Sequence, residues 1–256
     1  MFEQLHINNI GGKKIYFASD FHLGSPNKTQ SKSREEKIIS WLDSIKDSCH
    51  SLFLLGDVFD FWYEYNHVVP KGFVRFQSKL AEFTDNGIPV YMFTGNHDMW
   101  MFDYFEEELG VKIYRKEIEL ITENHIFLLG HGDGLGPKDY GYKFFRLFFH
   151  SKICQWLFGV LNPNIGIGIA KSWSNSSRKK GNGKEDSFLG DQEWILQHCR
   201  EQESMKHRDY YIYGHRHLVI DTKVNKASKY INLGAWYSDC NYAEYNSEKI
   251  RLIKYN

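Results

Sequence analysis

The chain has 256 residues, of which 42% are hydrophobic and 25% charged, and its 32 acidic side chains balance 32 basic ones. This is the composition of a globular protein long enough to bury a sizeable core without staples. The zero net charge excludes broad electrostatic capture of nucleic acid, and the lack of any run of about 18 uninterrupted apolar residues argues against a spanning helix.

In chain order, Lys14–Ser19 (KIYFAS) is a short apolar strand that ends at Asp20-Phe21-His22. Ser31–Ser48 reads as a helix. Ser33 and Glu36 have capping-box spacing, and Ile38, Trp41, Leu42 and Ile45 share one face at the 3.6-residue period. Ser51–Leu55 (SLFLL) is the next strand and ends at Gly56-Asp57. Gly72–Asp85 is helical, with Phe73, Phe76, Leu80 and Phe83 inward. Tyr91, Met92 and Phe93 form a buried strand. Gly95 permits a sharp turn after it, and Asn96, His97 and Asp98 follow. Asp103–Leu109 is a short helix. Lys112–Leu120 and Asn124–Leu129 read as strands, the second ending at Gly130-His131-Gly132-Asp133.

The character of the chain then changes. Tyr140–Leu161 is dense in aromatics, with Lys143, Arg146 and Lys152 interleaved. Asn162–Ile169 is a Pro/Gly break, and Ser172–Lys184 is polar and basic. Asp186–Gln202 reads as a helix. Tyr210–Tyr213 is a strand ending at Gly214-His215-Arg216-His217, and Tyr230–Leu233 and Ile250–Tyr255 close the chain. The pattern gives a single α/β domain over residues 1–256 with an insertion at about 137–183. Cys49, Cys154, Cys199 and Cys240 form no Cys-x-x-Cys pair, which excludes a zinc knuckle or a redox motif of that type. Free thiols, and a start (MFEQLHINNIGGKK) without a signal peptide's apolar segment, favour the cytoplasm.

Five strands end in turns rich in metal-ligating groups: Asp20 and His22, Asp57, Asn96 and His97, His131, and His215 and His217. Sites in α/β sheets form at the carboxyl ends of strands, so these groups are expected to converge. Imidazole, carboxylate and amide without thiolate suit Mn, Fe, Zn or Ni rather than a purely oxygen-liganded Ca²⁺. Alternate residues of an extended segment point the same way, so Asp20 and His22 can face one ion, and His215 and His217 one cleft. Asp20, His22, Asp57, Asn96, His131, His215 and His217 together exceed what one ion needs. Two ions are implied, bridged most naturally by Asp57. His6, His50, His67, His125, His150, His198 and His207 match no motif and read as surface or core residues.

The ordered set Asp20-x-His22, Gly56-Asp57, Gly95-Asn96-His97-Asp98, Gly130-His131 and Gly214-His215-x-His217 resembles the calcineurin-like metallophosphoesterase family over Asp20–His217. The resemblance implies that family's fold, a two-sheet β-sandwich flanked by helices. It implies one divalent metal on Asp20, His22, Asp57 and His217 and a second on Asp57, Asn96, His131 and His215, with manganese the first choice. Two ions about 4 Å apart can clamp a phosphoryl group and lower the pKa of a water that attacks phosphorus in line. In that scheme His97 donates to the phosphoryl oxygens or protonates the leaving group, and Asp98 orients a neighbouring His.

Within the family the chain is most similar to the pyrophosphatases that act on UDP-2,3-diacylglucosamine in lipid A synthesis. Gly56-Asp57-Val58-Phe59-Asp60-Phe61-Trp62 resembles their GD-[LV]-F-[DE]-x-W stretch. His131-Gly132-Asp133-Gly134-Leu135 followed by Asp139 resembles their HGD-x-L run with a later acidic residue, and the insertion sits where they carry a helical cap. This implies a UDP-linked or other lipid-phosphate substrate, with Asn96, His97, Asp139, Asn175, Arg178 and His215 as its contacts and UMP and the lipid 1-phosphate as products. Many members of that group carry Arg where this chain has His97, which leaves open a cap-bearing phosphodiesterase or phosphatase acting on another nucleotide or lipid phosphoester. The insertion also has a direct physical reading. Phe144, Phe145, Leu147, Phe148, Phe149, Ile153, Trp156, Leu157 and Phe158 are more apolar than one helix face needs. With the interleaved cations they suit an anionic membrane surface or an acyl-chain groove, which would make the protein peripheral on the inner face of the inner membrane. A helical hairpin that buries these side chains is the alternative.

Overall fold

The central strands are apolar runs rather than alternating patterns because both faces of each sheet are covered. The computed structural model describes residues 2–135, 147, 149–170, 172 and 187–256. In it, β1 (Glu3–Ile7), β6 (Ile118–Thr122), β7 (Ile126–Leu129), β8 (Tyr210–Tyr213), β10 (Lys229–Leu233) and β9 (Val219–Lys223) lie side by side in that order. A second sheet places β12 (Ile250–Lys254), β11 (Asn241–Tyr245), β2 (Lys14–Ala18), β3 (Cys49–Leu55), β4 (Val90–Phe93) and β5 (Lys112–Tyr114) side by side. The helices are α1 (Lys28–Ile45), α2 (Val74–Asp85), α3 (Tyr104–Leu109), α4 (Lys152–Val160), α5 (163–170) and α6 (Trp194–Met205).

Period-2 alternation sorts the strand side chains between layers. Phe17, Phe53, Phe93, Phe127, Ile212 and Ile231 fill the space between the sheets. Phe17 stacks on Phe53 at 5.3 Å and on Phe127, from the facing sheet, at 6.1 Å. Tyr16, Leu52, Leu54 and Met92 belong to an outer layer with Ile38 and Trp41 of α1, Phe76 and Leu80 of α2 and Phe105 of α3. Leu128, Tyr211, Tyr213 and Tyr230 pack in a third layer with Ile195, Leu196 and Cys199 of α6. The fold is thus the expected α/β sandwich of two sheets flanked by helices. β2 to β5 run parallel, as do β7 and β8. Their carboxyl ends carry all the ligand-rich turns. Among the described residues no helix is long and apolar enough to cross a membrane.

Several boundaries differ from the sequence reading. α1 starts at Lys28, capped by Asn27, whose Oδ1 accepts from Gln30 N at 3.0 Å; Ser33 is not its cap. The run Lys112–Leu120 is two strands, β5 in one sheet and β6 in the other, with the change of sheet at Arg115–Glu117. Instead of a break, residues 163–170 form α5, where Asn162 Oδ1 accepts from Asn164 N at 3.0 Å. Pro163 there occupies the first helical turn, which needs no N–H from it. The helix expected from Asp186 begins at Trp194, after a 3₁₀ turn at Gly190–Gln192.

One polar cluster fixes the end of α6. Glu203 accepts from Tyr211 Oη at 2.7 Å, Ser228 Oγ at 2.8 Å, Arg208 N at 2.9 Å and His207 at 2.7 Å. Burial would raise its carboxyl, but the His207, Arg208 and Tyr211 donors outweigh it and hold the group at about 2. A depressed folded-state pKa stabilises the fold above the ordinary value of 4.5, and this contribution fades as pH falls toward 2. Its full size is up to about 3 kcal/mol. Glu203→Gln should therefore lower unfolding free energy in urea by about 2–3 kcal/mol at pH 7, with the gap to the parent closing as titration approaches pH 2.

Candidate metal centre

The turns after β2, β3 and β8 bend sharply at their ligand residues. Asp20, His22, Asp57, His215 and His217 have φ of 54°, 44°, 50°, 68° and 52°. A left-handed backbone costs a non-glycine residue about 1 kcal/mol or more, so the surroundings must hold it. Asp20 N donates to Gly56 O at 3.0 Å and His22 N to Asp57 O at 2.9 Å, which zips two neighbouring turns together. Gly214 N donates to His131 O at 2.9 Å in the other sheet. The two sheets are joined where His215 N donates to Asp20 Oδ2 at 3.0 Å.

The side chains then converge in two groups. His217 Nε2 is 3.2 Å from Asp20 Oδ1, and His22 Nε2 is 3.7 Å from both Asp20 Oδ1 and Asp57 Oδ2. The two imidazole Nε2 atoms of His22 and His217 face each other at 3.0 Å. On the other side of Asp57, His131 Nε2 lies 3.3 Å from Asp57 Oδ2 and 3.3 Å from Asn96 Oδ1, and the His215 ring centroid is 5.1 Å from that of His131. Ligand atoms of Asp20, His22, Asp57 and His217 lie within 4.8 Å of one another, and so do those of Asp57, His131 and His215. Asp57 is common to both groups.

The donor set fits divalent cations. His131 Nδ1 meets the Leu55 carbonyl at 2.8 Å and His217 Nδ1 meets Tyr237 Oη at 2.8 Å. Placing one ring proton on Nδ1, an assignment made from these partners, aims each Nε2 into the cluster, where a bound cation would displace the second proton that the Asp57 charge, against burial, favours on His131. Asp57 Oδ2 is buried and accepts no hydrogen bond, a cost that a cation between the two groups would remove. Burial opposes charge on Asp20, yet His217 and His22 hold its carboxyl well below the usual range. Burial also opposes a proton on His22, but Asp20 and Asp60 raise it to about 9, whereas burial and the His131 charge push His215 down to about 4. Cation binding would displace the His22 proton.

His97 N donates to Asp57 Oδ1 at 2.9 Å, its Nδ1 meets the Asp60 carbonyl at 3.0 Å, and its ring lies 4.9 Å from that of His22. Asp98 does not orient a histidine as expected. Its carboxylate accepts backbone bonds from Gly95 N at 2.7 Å, Val58 N at 2.8 Å and Phe59 N at 3.2 Å, and so fastens the turn after β3 to the turn after β4. Sequence reasoning missed Asp60, whose Oδ1 is 3.7 Å from His22 Nδ1 and 3.8 Å from His97 Nδ1. Its place in Gly56–Trp62 was the available signal. Tyr237, the partner of His217, had none.

Asp139, Asn175 and Arg178 lie outside the described residues, as do Phe144, Phe145 and Phe148 of the insertion. Of the described insertion, α4 rests on the turns that carry Asp57 and Asn96. Tyr63 Oη donates to Gln155 O at 2.6 Å, Trp100 Nε1 donates to Phe149 O at 2.9 Å, and the Phe158 ring lies 4.8 Å from both Tyr63 and Trp100. No residue of α4 is buried, and Ile153, Trp156, Leu157 and Val160 are exposed. His131 and Asp133 also line a cavity of about 700 Å³ with Thr94, Tyr114, Arg115 and Lys116.

The sequence profile of the calcineurin-like phosphoesterase family matches residues 13–219. The UDP-2,3-diacylglucosamine hydrolase of Porphyromonas gingivalis is 32% identical, covering 93% of this chain and 96% of that protein. Those of Proteus mirabilis and Yersinia enterocolitica are 27% and 25% identical, each covering 93% of this chain and 98% of the relative.

Proposed function

This chain belongs to the calcineurin-like phosphoesterase family, and from that premise we propose that it cleaves the pyrophosphate of UDP-2,3-diacylglucosamine to UMP and 2,3-diacylglucosamine 1-phosphate. It is a metal-dependent phosphoester hydrolase. The observation that carries the reading is Asp57, shared by two ligand groups and holding a buried oxygen that no hydrogen bond satisfies. We assign one cation to Asp20, His22, Asp57 and His217 and the other to Asp57, Asn96, His131 and His215. Manganese is the first choice on the family resemblance, and the mixed imidazole, carboxylate and amide set suits Fe, Zn or Ni as well.

Bound there, divalent cations supply Lewis-acid polarisation of a phosphoryl group and a water of lowered pKa. The chain supplies the rest. His97 is held by its backbone N on Asp57 and its Nδ1 on the Asp60 carbonyl, and its ring is assigned to the phosphoryl oxygens or the departing phosphate by the family resemblance. The cavity of about 700 Å³ beside His131 has room for the nucleotide. Asp139, Asn175 and Arg178 are assigned to the polar part of the substrate by the family resemblance. The outward apolar face of α4 supports a lipid-bearing substrate met at an anionic membrane surface. A cytoplasmic enzyme, peripheral on the inner membrane, accords with four free cysteines.

The test presents Mn²⁺-loaded protein with UDP-2,3-diacylglucosamine in anionic vesicles. UMP should appear, ¹⁸O from water should enter one product phosphate only, and chelation should stop turnover. Rapid hydrolysis of a water-soluble diester, unchanged when Trp156 and Val160 become Ser, would instead support a cap-bearing phosphodiesterase or phosphatase on another nucleotide or lipid phosphoester. His97, in place of the pyrophosphatase group's common Arg, is the feature that favours that second reading.

A further inference from the structure

Arg216 stands between His215 and His217 and points away from the metal centre, into the protein. It is 2% exposed, and its guanidinium makes a two-point pair with Glu193, itself fully buried, at 2.8 Å from Nε to Oε1 and 3.2 Å from Nη2 to Oε2. The same Nη2 donates to Ser187 O at 3.2 Å, and the guanidinium carbon lies 4.2 Å from the centre of the Trp194 ring. Glu193 immediately precedes α6, which is packed onto its sheet through Ile195, Leu196 and Cys199. The side chain therefore ties a ligand turn to a rigid helix start.

The turn needs such a tie. His215 and His217 both have left-handed backbones, with φ of 68° and 52°. Flanking residues in this conformation persist only when the surroundings over-determine them. A buried ion pair adds little net stability compared with apolar residues of the same volume, but it fixes geometry where removal of either partner strands a charge. The planar fork of Arg, engaged on Glu193 and stacked on Trp194, sets both distance and rotation in a way that Lys does not reproduce.

We propose that Arg216, through Glu193, is a positioning residue that presets the His215–His217 turn to receive cations in both groups of the metal centre. The inference rests on the reading of His215 and His217 as metal ligands. Charge and planarity make separate contributions, so Arg216→Lys should fall between the parent and Glu193→Gln.

The experiment is Mn²⁺ titration followed by electron paramagnetic resonance, on the parent, Arg216→Lys, Arg216→Met, Glu193→Gln and His215→Ala. Circular dichroism and metal-free melting are recorded for each. Glu193→Gln and Arg216→Met should weaken Mn²⁺ binding at least about tenfold, in the range seen when partners that orient ligands are removed, with Arg216→Lys intermediate. If His215→Ala weakens binding while Glu193→Gln and Arg216→Lys lower only the metal-free melting temperature, the pair is a structural tie alone and the proposal is overturned. If His215→Ala itself binds Mn²⁺ like the parent, the ligand reading fails and takes this inference with it. Should Arg216→Met not fold, the Lys and Gln variants decide the matter.

Discussion

Asp57→Asn is expected to lower turnover by at least about 10³-fold, since loss of a group that merely orients a ligand already costs about 10–100-fold and Asp57 belongs to both ligand groups. The metal-free fold should lose part of its stability, because, although burial opposes its charge, the surrounding histidines hold the Asp57 carboxyl well below its ordinary range and Asn has no charge for them to pair with, but two features limit the loss. Asn can still accept the bond from His97 N that Asp57 Oδ1 takes at 2.9 Å. Burial disfavours a proton on His131, and the Asp57 charge is the main influence that raises it. Without that charge, His131 sheds its proton rather than remaining as an unpaired buried cation. The clear difference lies in the response to metal. At free metal about 100 times Kd, each occupied site adds about 2.7 kcal/mol, which for a chain of this size raises Tm by roughly 5–10 °C. The parent should show that rise with Mn²⁺ and Asp57→Asn should show little of it. A variant that keeps more than about a tenth of parental turnover, or the full Mn²⁺-induced rise, would show that Asp57 does not serve both ligand groups.

The legible part of this protein is the part in which local pattern and tertiary role coincide. β2, β3, β4, β7 and β8 are buried on both faces, so they read as apolar runs, and every candidate ligand follows such a run within a turn that places it at the strand edge. The missed strands are those whose role is visible only in three dimensions. β1 (EQLHI) and β9 (VIDTK) are edge strands with mostly uncovered residues, so they show no apolar run, and β11 (NYAEY) is an inner strand that buries the polar Asn241 and Glu244, so it shows none either. In Lys112–Leu120 the charged run Arg115-Lys116-Glu117 marks the crossing from one sheet to the other, but the two apolar stretches on either side of it do not show which sheet each joins. α1 opens on a polar turn, so its cap at Asn27 precedes the periodic stretch that marked the helix. The supports of the site were hidden for a different reason. Asp98, Asp60, Tyr237 and Glu193 act through partners distant in sequence, and Asp98 acts on backbone N–H groups that have no residue code at all.

Gly95→Ala should be among the most damaging single changes available in this chain. A Cβ at residue 95 would overlap Asp57 Oδ1 and stand 2.6 Å from Asp57 N and 2.8 Å from its carboxyl carbon. Neither neighbour can yield. Asp57 N is part of a turn zipped to that after β2, and Gly95 cannot retreat because its own N donates to Asp98 Oδ1 at 2.7 Å. Overpacking of this kind costs about 1–3 kcal/mol when the surroundings relax, and here relaxation moves a carboxylate placed in both ligand groups. The expected result is a loss of about 3 kcal/mol in urea unfolding together with a fall in turnover of about 10²-fold, the penalty for displacing a reacting geometry by about 1 Å. The same chemical change at Gly168, in α5, meets nothing within 4 Å. Gly168→Ala should be neutral or slightly stabilising, because Ala is the better helix former by about 1 kcal/mol. The pair separates the methyl group from its setting: if Gly95→Ala behaves like Gly168→Ala in both measurements, the close approach of the turns after β3 and β4 does not fix Asp57, and Asp98 must hold that geometry alone.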